Sequence, residues 1–120
     1  MKYDRFEQLP VWQAGIDLAV AIYAMTEKPT FEKRSSLRDQ IERAAVSVSN
    51  NIAEGFERGT TQEILTCLYI ARGSAGEVRS MLCLLERLPV PAQKGSSWSS
   101  AQQAAEVGVL GPPPRHYMGK

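Results

Sequence analysis

The chain is 120 residues long, 43% hydrophobic and 22% charged, with a formal net charge of +1, which allows one domain around one core. Near-neutrality excludes a global field that draws a chain to nucleic acid or an anionic membrane, and the charges are not segregated: residues 1–88 carry 11 basic and 12 acidic side chains. No apolar run approaches the ~18 residues that span a bilayer. The polar start Met1-Lys2-Tyr3-Asp4-Arg5 lacks an apolar h-region, which predicts no signal peptide, no membrane association and a cytoplasmic location.

In chain order, a first helix is predicted over 10–25. Pro10 suits the first helical position, where a missing N–H has no partner to lose. Val11, Gly15, Leu18, Ile22 and Met25 recur at steps of four and three, and Trp12, Ile16, Ala19 and Tyr23 widen that stripe. Pro29 is expected to stop it. A second helix is predicted over 36–58, with Ser36 and Asp39 placed as a capping box and Gly59 as its terminator. Leu37, Ile41, Ala44, Ala45, Val48, Ile52 and Phe56 form its apolar face.

The third helix is predicted over 61–88, opened by a capping box in which Thr60 caps and Glu63 reaches back. Ile64, Leu68, Ala71, Ala75, Val78, Leu82 and Leu85 make one heptad seam, and Cys67, Ile70, Met81, Leu84 and Leu88 make a second beside it. The two together exceed what one neighbour covers. This helix is therefore expected to be central to the bundle or to face another subunit. Gly73 and Gly76 in its middle, set against small residues of the second helix, predict a tight crossing of the two. Cys67 and Cys83 point about 160° apart on this helix, so they cannot pair with each other. They read as small apolar fillers in a reducing compartment.

After Leu88 the pattern breaks. Residues 89–120 hold five of the seven prolines and a Gly95-Ser96-Ser97-Trp98-Ser99-Ser100 stretch. They predict a Pro/Gly/Ser-rich divergent tail, irregular or with one short weak helix near 99–107.

Two polar groupings bear on function. Gln40, Arg43, Ser47, Asn50, Asn51, Glu54 and Arg58 project within about 100° of one another on the second helix. Asparagine is a poor helix former, so an adjacent pair mid-helix needs a reason. The alternatives are a solvated face, a polar seam that fixes register, and a binding surface for a protein or RNA partner. Arg43, Arg58, Arg72 and Arg79 could form a phosphate-binding patch. Asp39, Glu42, Glu54, Glu57, Glu63 and Glu77 interleave with them, a mixture typical of a solvated surface. Ser47 and Ser74 sit mid-helix, where a hydroxyl usually bonds the carbonyl of the preceding turn.

An enzyme is not expected. The sole histidine, His116, lies in the tail, no Glu-x-x-His pair suits a di-metal bundle, and neither a metal-spaced Cys/His cluster nor a phosphate loop is present in the sequence. No cofactor, metal or small-molecule substrate is implied. A catalytic alternative centres on Glu54 or Glu77 and requires a concave pocket around a perturbed carboxylate.

The segments Phe6-x-x-Leu9-x-Val11-Trp12-Gln13, Gln40-Ile41-x-Arg43-Ala44-Ala45-Val46-Ser47-Val48, Asn50-Asn51-Ile52-Ala53-Glu54-Gly55-x-x-Arg58 and Leu68-Tyr69-Ile70-Ala71-Arg72-Gly73-Ser74-x-x-Glu77 resemble, in order, the signatures of the 23S rRNA intervening-sequence protein family. The resemblance runs over residues 3–88. It implies an all-α, antiparallel up-down four-helix bundle that assembles into a homopentameric ring, with no assigned biochemical role. The related accessory variability proteins of diversity-generating retroelements form pentamers that bind a reverse transcriptase and nucleic acid. They are typically basic, whereas this chain is near neutral. The family continues into a fourth amphipathic helix. Here three long helices are evident and the fourth is degenerate or missing, as a reading-frame change or a replaced C-terminus would leave it.

The expected function is thus a non-catalytic oligomeric helical-bundle scaffold that binds a protein or RNA partner. The alternative is direct nucleic-acid binding by an arginine patch repeated around a ring, where modest sites add up.

Overall fold

A computed structural model describes residues 3–89; the tail and its short helix near 99–107 lie outside the described residues. The chain is all-α: α1 spans Pro10–Thr26, α2 Ser35–Arg58 and α3 Thr61–Arg87. Single 3-10 turns at Phe6–Gln8 and Pro29–Phe31 precede α1 and α2.

The helix ends follow local chemistry. Pro10 occupies the first position of α1. Gly59 ends α2 at φ 85, a left-handed conformation that favours glycine. The Thr60 hydroxyl caps α3, accepting the Glu63 N–H at 3.2 Å and donating to the Glu63 carboxylate at 2.9 Å. The start of α2 departs from expectation: the helix begins at Ser35 behind Arg34, without a side-chain cap. The predicted Ser36–Asp39 box does not form: Ser36 lies inside the helix, where its backbone is already helical and not in the extended conformation a cap requires.

Direction and register are read from close contacts. Gly15 of α1 lies against Ser49 of α2 and Thr26 against Glu42, so the two helices run antiparallel. Gly55 of α2 lies against Cys67 of α3 and Ser47 against Ser74, so α2 and α3 are antiparallel too. Leu18, Ile22, Ile41, Val48, Val78 and Leu82 are the sealed centre of the core, each such side chain contributing about 1.5–3 kcal/mol by burial. Phe6 packs on Trp12 with ring centroids 5.3 Å apart, and Gln13 donates to the Glu7 carbonyl at 2.9 Å. Together they pin the N-terminal turn to α1.

α2 is the middle helix. Both α1 and α3 pack along it, without close backbone approach to each other. Of the two expectations for the third helix, a central place does not hold among the described residues, where α3 packs on α2 alone; the other, that it faces another subunit, stays an expectation.

The expected crossing at Gly73 and Gly76 is also corrected. A Cβ added at either meets nothing within 4 Å, whereas one added at Gly55 falls 2.8 Å from the Cys67 Cβ, and one at Gly15 falls 3.3 Å from the Ser49 backbone. The glycines that permit close approach are therefore Gly15 and Gly55, each aimed at a neighbouring helix. Gly73 and Gly76 lie on the side of α3 turned away from α2.

Substitution by alanine should separate the two kinds. Gly55→Ala is expected to destabilise by about 1–3 kcal/mol through overpacking, whereas Gly73→Ala and Gly76→Ala should each stabilise by roughly 0.5–1 kcal/mol through helix propensity. Urea unfolding of the three variants measures the difference.

Candidate functional site

α2 carries its polar stripe over about five turns, and the structure divides it. Gln40, Arg43, Asn50, Glu54 and Arg58 are exposed, while Ser47 and Asn51 are partly buried in the seam with α3. The Ser47 and Ser74 hydroxyls lie 2.9 Å apart across that seam. Asn51 folds its amide back one turn, donating through Nδ2 to the Ser47 carbonyl at 2.8 Å and to the Ser47 hydroxyl at 3.0 Å. This gives Asn51 its reason to stand mid-helix: it satisfies the polar crossing. It also corrects the expectation for the two serines, which bond each other rather than the preceding turn's carbonyls. Asn50 points outward and lines an open depression with Tyr23, Glu42, Arg43 and Val46.

A second depression of about 630 Å³ lies over the α2–α3 seam, bounded by Gln40, Arg43, Ser47, Ser74 and Glu77. It is open to solvent, and Glu77, like Glu54, is exposed. The hydrogen-bond partners of Ser47 and Ser74 are hydroxyl and amide groups, which do not accept a proton at neutral pH.

The four arginines do not converge. Arg58 donates to Glu54, 2.8 Å away at its shortest, and pairs with Glu63 at 3.4 Å. The Glu54 hydrogen bond, then its charge, holds the guanidinium above the usual arginine value. Arg43 stands over the seam beside Asp39 and Glu77. Arg72 lies on the flank of α3 opposite Ser74, about 160° round the helix, with its Nε and Nη1 buried and lacking a hydrogen-bond partner. Arg79 is exposed one heptad further along that flank. The single patch envisaged from the sequence is thus three separate places.

A polar contact on the other side of α2 had little sequence signal. The buried Thr26 hydroxyl donates to the Glu42 carboxylate at 2.6 Å; a hydroxyl at the edge of an apolar stripe was the only hint. The cysteines are free, Cys67 buried and Cys83 exposed, so the core-filler expectation holds for Cys67 and is corrected for Cys83. Among the described residues no cluster of His, Cys, Asp or Glu could hold a metal, and no helix is long and apolar enough to cross a membrane.

An up-down helical bundle with a divided, mixed-charge polar face defines the class of this protein. The family model of the 23S rRNA-intervening sequence protein matches residues 7–105, and the chain belongs to that family. The match continues past Leu88, where the sequence pattern suggested that the family likeness ended. Comparison with curated proteins gave no match, and comparison with solved structures gave none.

The Ser47–Ser74 contact can be isolated by a double-mutant cycle. Ser47→Ala is expected to cost about 1 kcal/mol by leaving the Ser74 hydroxyl without its partner, and Ser74→Ala less, because the Ser47 hydroxyl keeps its bond from Asn51. The double variant should cost less than their sum, as measured by chemical denaturation.

Proposed function

We propose that this chain is a non-catalytic, self-associating helical scaffold that presents the polar face of α2 to a protein or RNA partner. The observation that carries this reading is the outer face of α3. Leu65, Tyr69, Ile70 and Leu84 are all 44–52% exposed there, on a helix whose contacts with α2 lie on the other side. Exposed apolar side chains gathered on one helix face mark an association surface. The homopentameric ring implied by the family resemblance is the finer form of this reading.

The exposed stripe of Gln40, Arg43, Asn50, Glu54 and Arg58 supports partner binding. Its groups donate and accept hydrogen bonds with little net charge, which favours recognition by shape and hydrogen bonding over phosphate attraction. No cofactor, metal or small-molecule substrate enters the proposal. Direct nucleic-acid binding is weakened as an alternative by the dispersal of Arg43, Arg58 and Arg72 and by the two carboxylates that already engage Arg58.

Light scattering coupled to size exclusion tests the scaffold. The full chain should elute as one discrete species at an integral multiple of 13.3 kDa, fivefold for the ring. A stable monomer at high protein concentration contradicts it. Titration with single-stranded RNA tests the alternative: strong binding that falls steeply with salt and is lost in Arg43→Ala would favour it over the hydrogen-bonding face.

A further inference from the structure

α1 has a second apolar row that the core does not use. Leu18, Ile22 and Met25 are sealed, but Ile16 and Ala19 are only half-buried, Tyr23 is 43% exposed and Val20 63%. Ile16, Ala19, Val20 and Tyr23 stand at helical spacings that place them on one flank of α1. Tyr23 shares an open depression of about 530 Å³ with Glu42, Val46 and Asn50 of α2. The apolar flank is thus one wall of a groove along the outside of the α1–α2 pair.

The other wall is Asp39, Glu42, Val46, Asn50, Ala53 and Glu57, which recur along α2 at steps of three and four. Half of this row is acidic and none of it is basic. α1 itself carries Asp17 and no lysine or arginine, and Glu27 follows its last residue. Among the described residues Asp17, Glu27 and Glu57 pair with no cation. Asp39 meets Arg38 at 3.5 Å at the surface, and Glu42 accepts the Thr26 hydroxyl. Arg43 borders the depression from the side of α3. In a chain of formal net charge +1, this groove is locally negative.

An acidic wall repels phosphate, and an apolar wall gains nothing from a purely polar ligand. The two together fit a segment that is apolar on one side and basic on the next. Covering Val20 and Tyr23 removes apolar surface from water. Lysine or arginine stems can lie along the Tyr23 ring while their charges reach Asp39 and Glu42. From Asp39 to Glu57 the acidic row rises about 27 Å, the length of a five-turn helix.

We propose that this groove docks a basic amphipathic helix of a partner protein, its apolar side on Val20 and Tyr23 and its lysine or arginine side chains along Asp39, Glu42 and Glu57. This rests on the partner binding proposed above, takes its protein branch, and specifies both the groove and the chemistry of the partner.

Fluorescence anisotropy with the full chain tests it. The probe is a labelled leucine–lysine peptide of about 18 residues, amphipathic at the helical period; the control has the same composition in shuffled order. The amphipathic peptide should bind, and the shuffled one at least roughly tenfold more weakly. Val20→Lys, at a position the fold leaves exposed, and Asp39→Lys should each weaken binding by a similar factor, with helix content checked by circular dichroism. Arg43→Ala should strengthen binding by removing a like charge. If the peptide binds and neither Val20→Lys nor Asp39→Lys weakens it, or the shuffled peptide binds as tightly, the groove is wrong while the partner reading stands. If the chain leaves the peptide free and binds single-stranded RNA, with loss in Arg43→Ala, the partner is RNA and the groove falls. If neither probe binds at millimolar concentration, the groove falls together with the protein branch of the partner reading.

Discussion

The structure depends on how closely two helices can lie against a third. α2 is approached from both sides, and on each side a glycine marks the closest point: Gly15 of α1 against the Ser49 backbone, and Gly55 of α2 itself against Cys67 of α3. Ala44 and Ala45 keep the rest of that surface shallow, both buried. Small residues at a crossing let the larger ones, such as Ile41, Val48 and Ile52, reach across into a shared core. A methyl group at Gly55 has nowhere to go, because what it meets is a Cβ tied to a neighbouring backbone.

From this crossing follows the division of the surface. α1 and α3 each pack on α2 and not on one another, which leaves the polar stripe of α2 at the surface beside the α3 seam. The α2 face is polar and holds its own hydrogen bonds where it meets α3, through Ser47, Asn51 and Ser74. The outer α3 face carries the half-exposed Leu65, Tyr69, Ile70 and Leu84.

Much of the fold was legible in the sequence because its signals are local. The periodic stripes, Pro10, Gly59 and the Thr60 cap each act within a turn or two, and each is where expected. The errors concern what one helix does to another. Gly73 and Gly76 suggested a crossing because mid-helix glycine is costly, but helical spacing alone does not say which neighbour a face meets; Gly55, inside a family signature, was the residue that met one. The second seam of α3 was half right for the same reason: Cys67 and Met81 are buried, whereas Ile70 and Leu84 are half exposed. The polar stripe was visible as a stripe, but its division required knowing that Ser74 lies opposite Ser47. Many of the residues that carry the family resemblance, including Ala44, Ala45, Ile52, Gly55 and Ala71, are buried at helix contacts. The resemblance therefore speaks more strongly for the bundle than for any binding surface.

The central claim is that α2 is gripped from both sides at fixed register. Nuclear Overhauser contacts in solution test it most directly. The account expects cross-peaks from the Gly15 Hα protons to Ser49 and from the Gly55 Hα protons to Cys67 in the same sample. Loss of either set, with all three helices intact by chemical shift, would contradict the register and the placement of α2 between its neighbours.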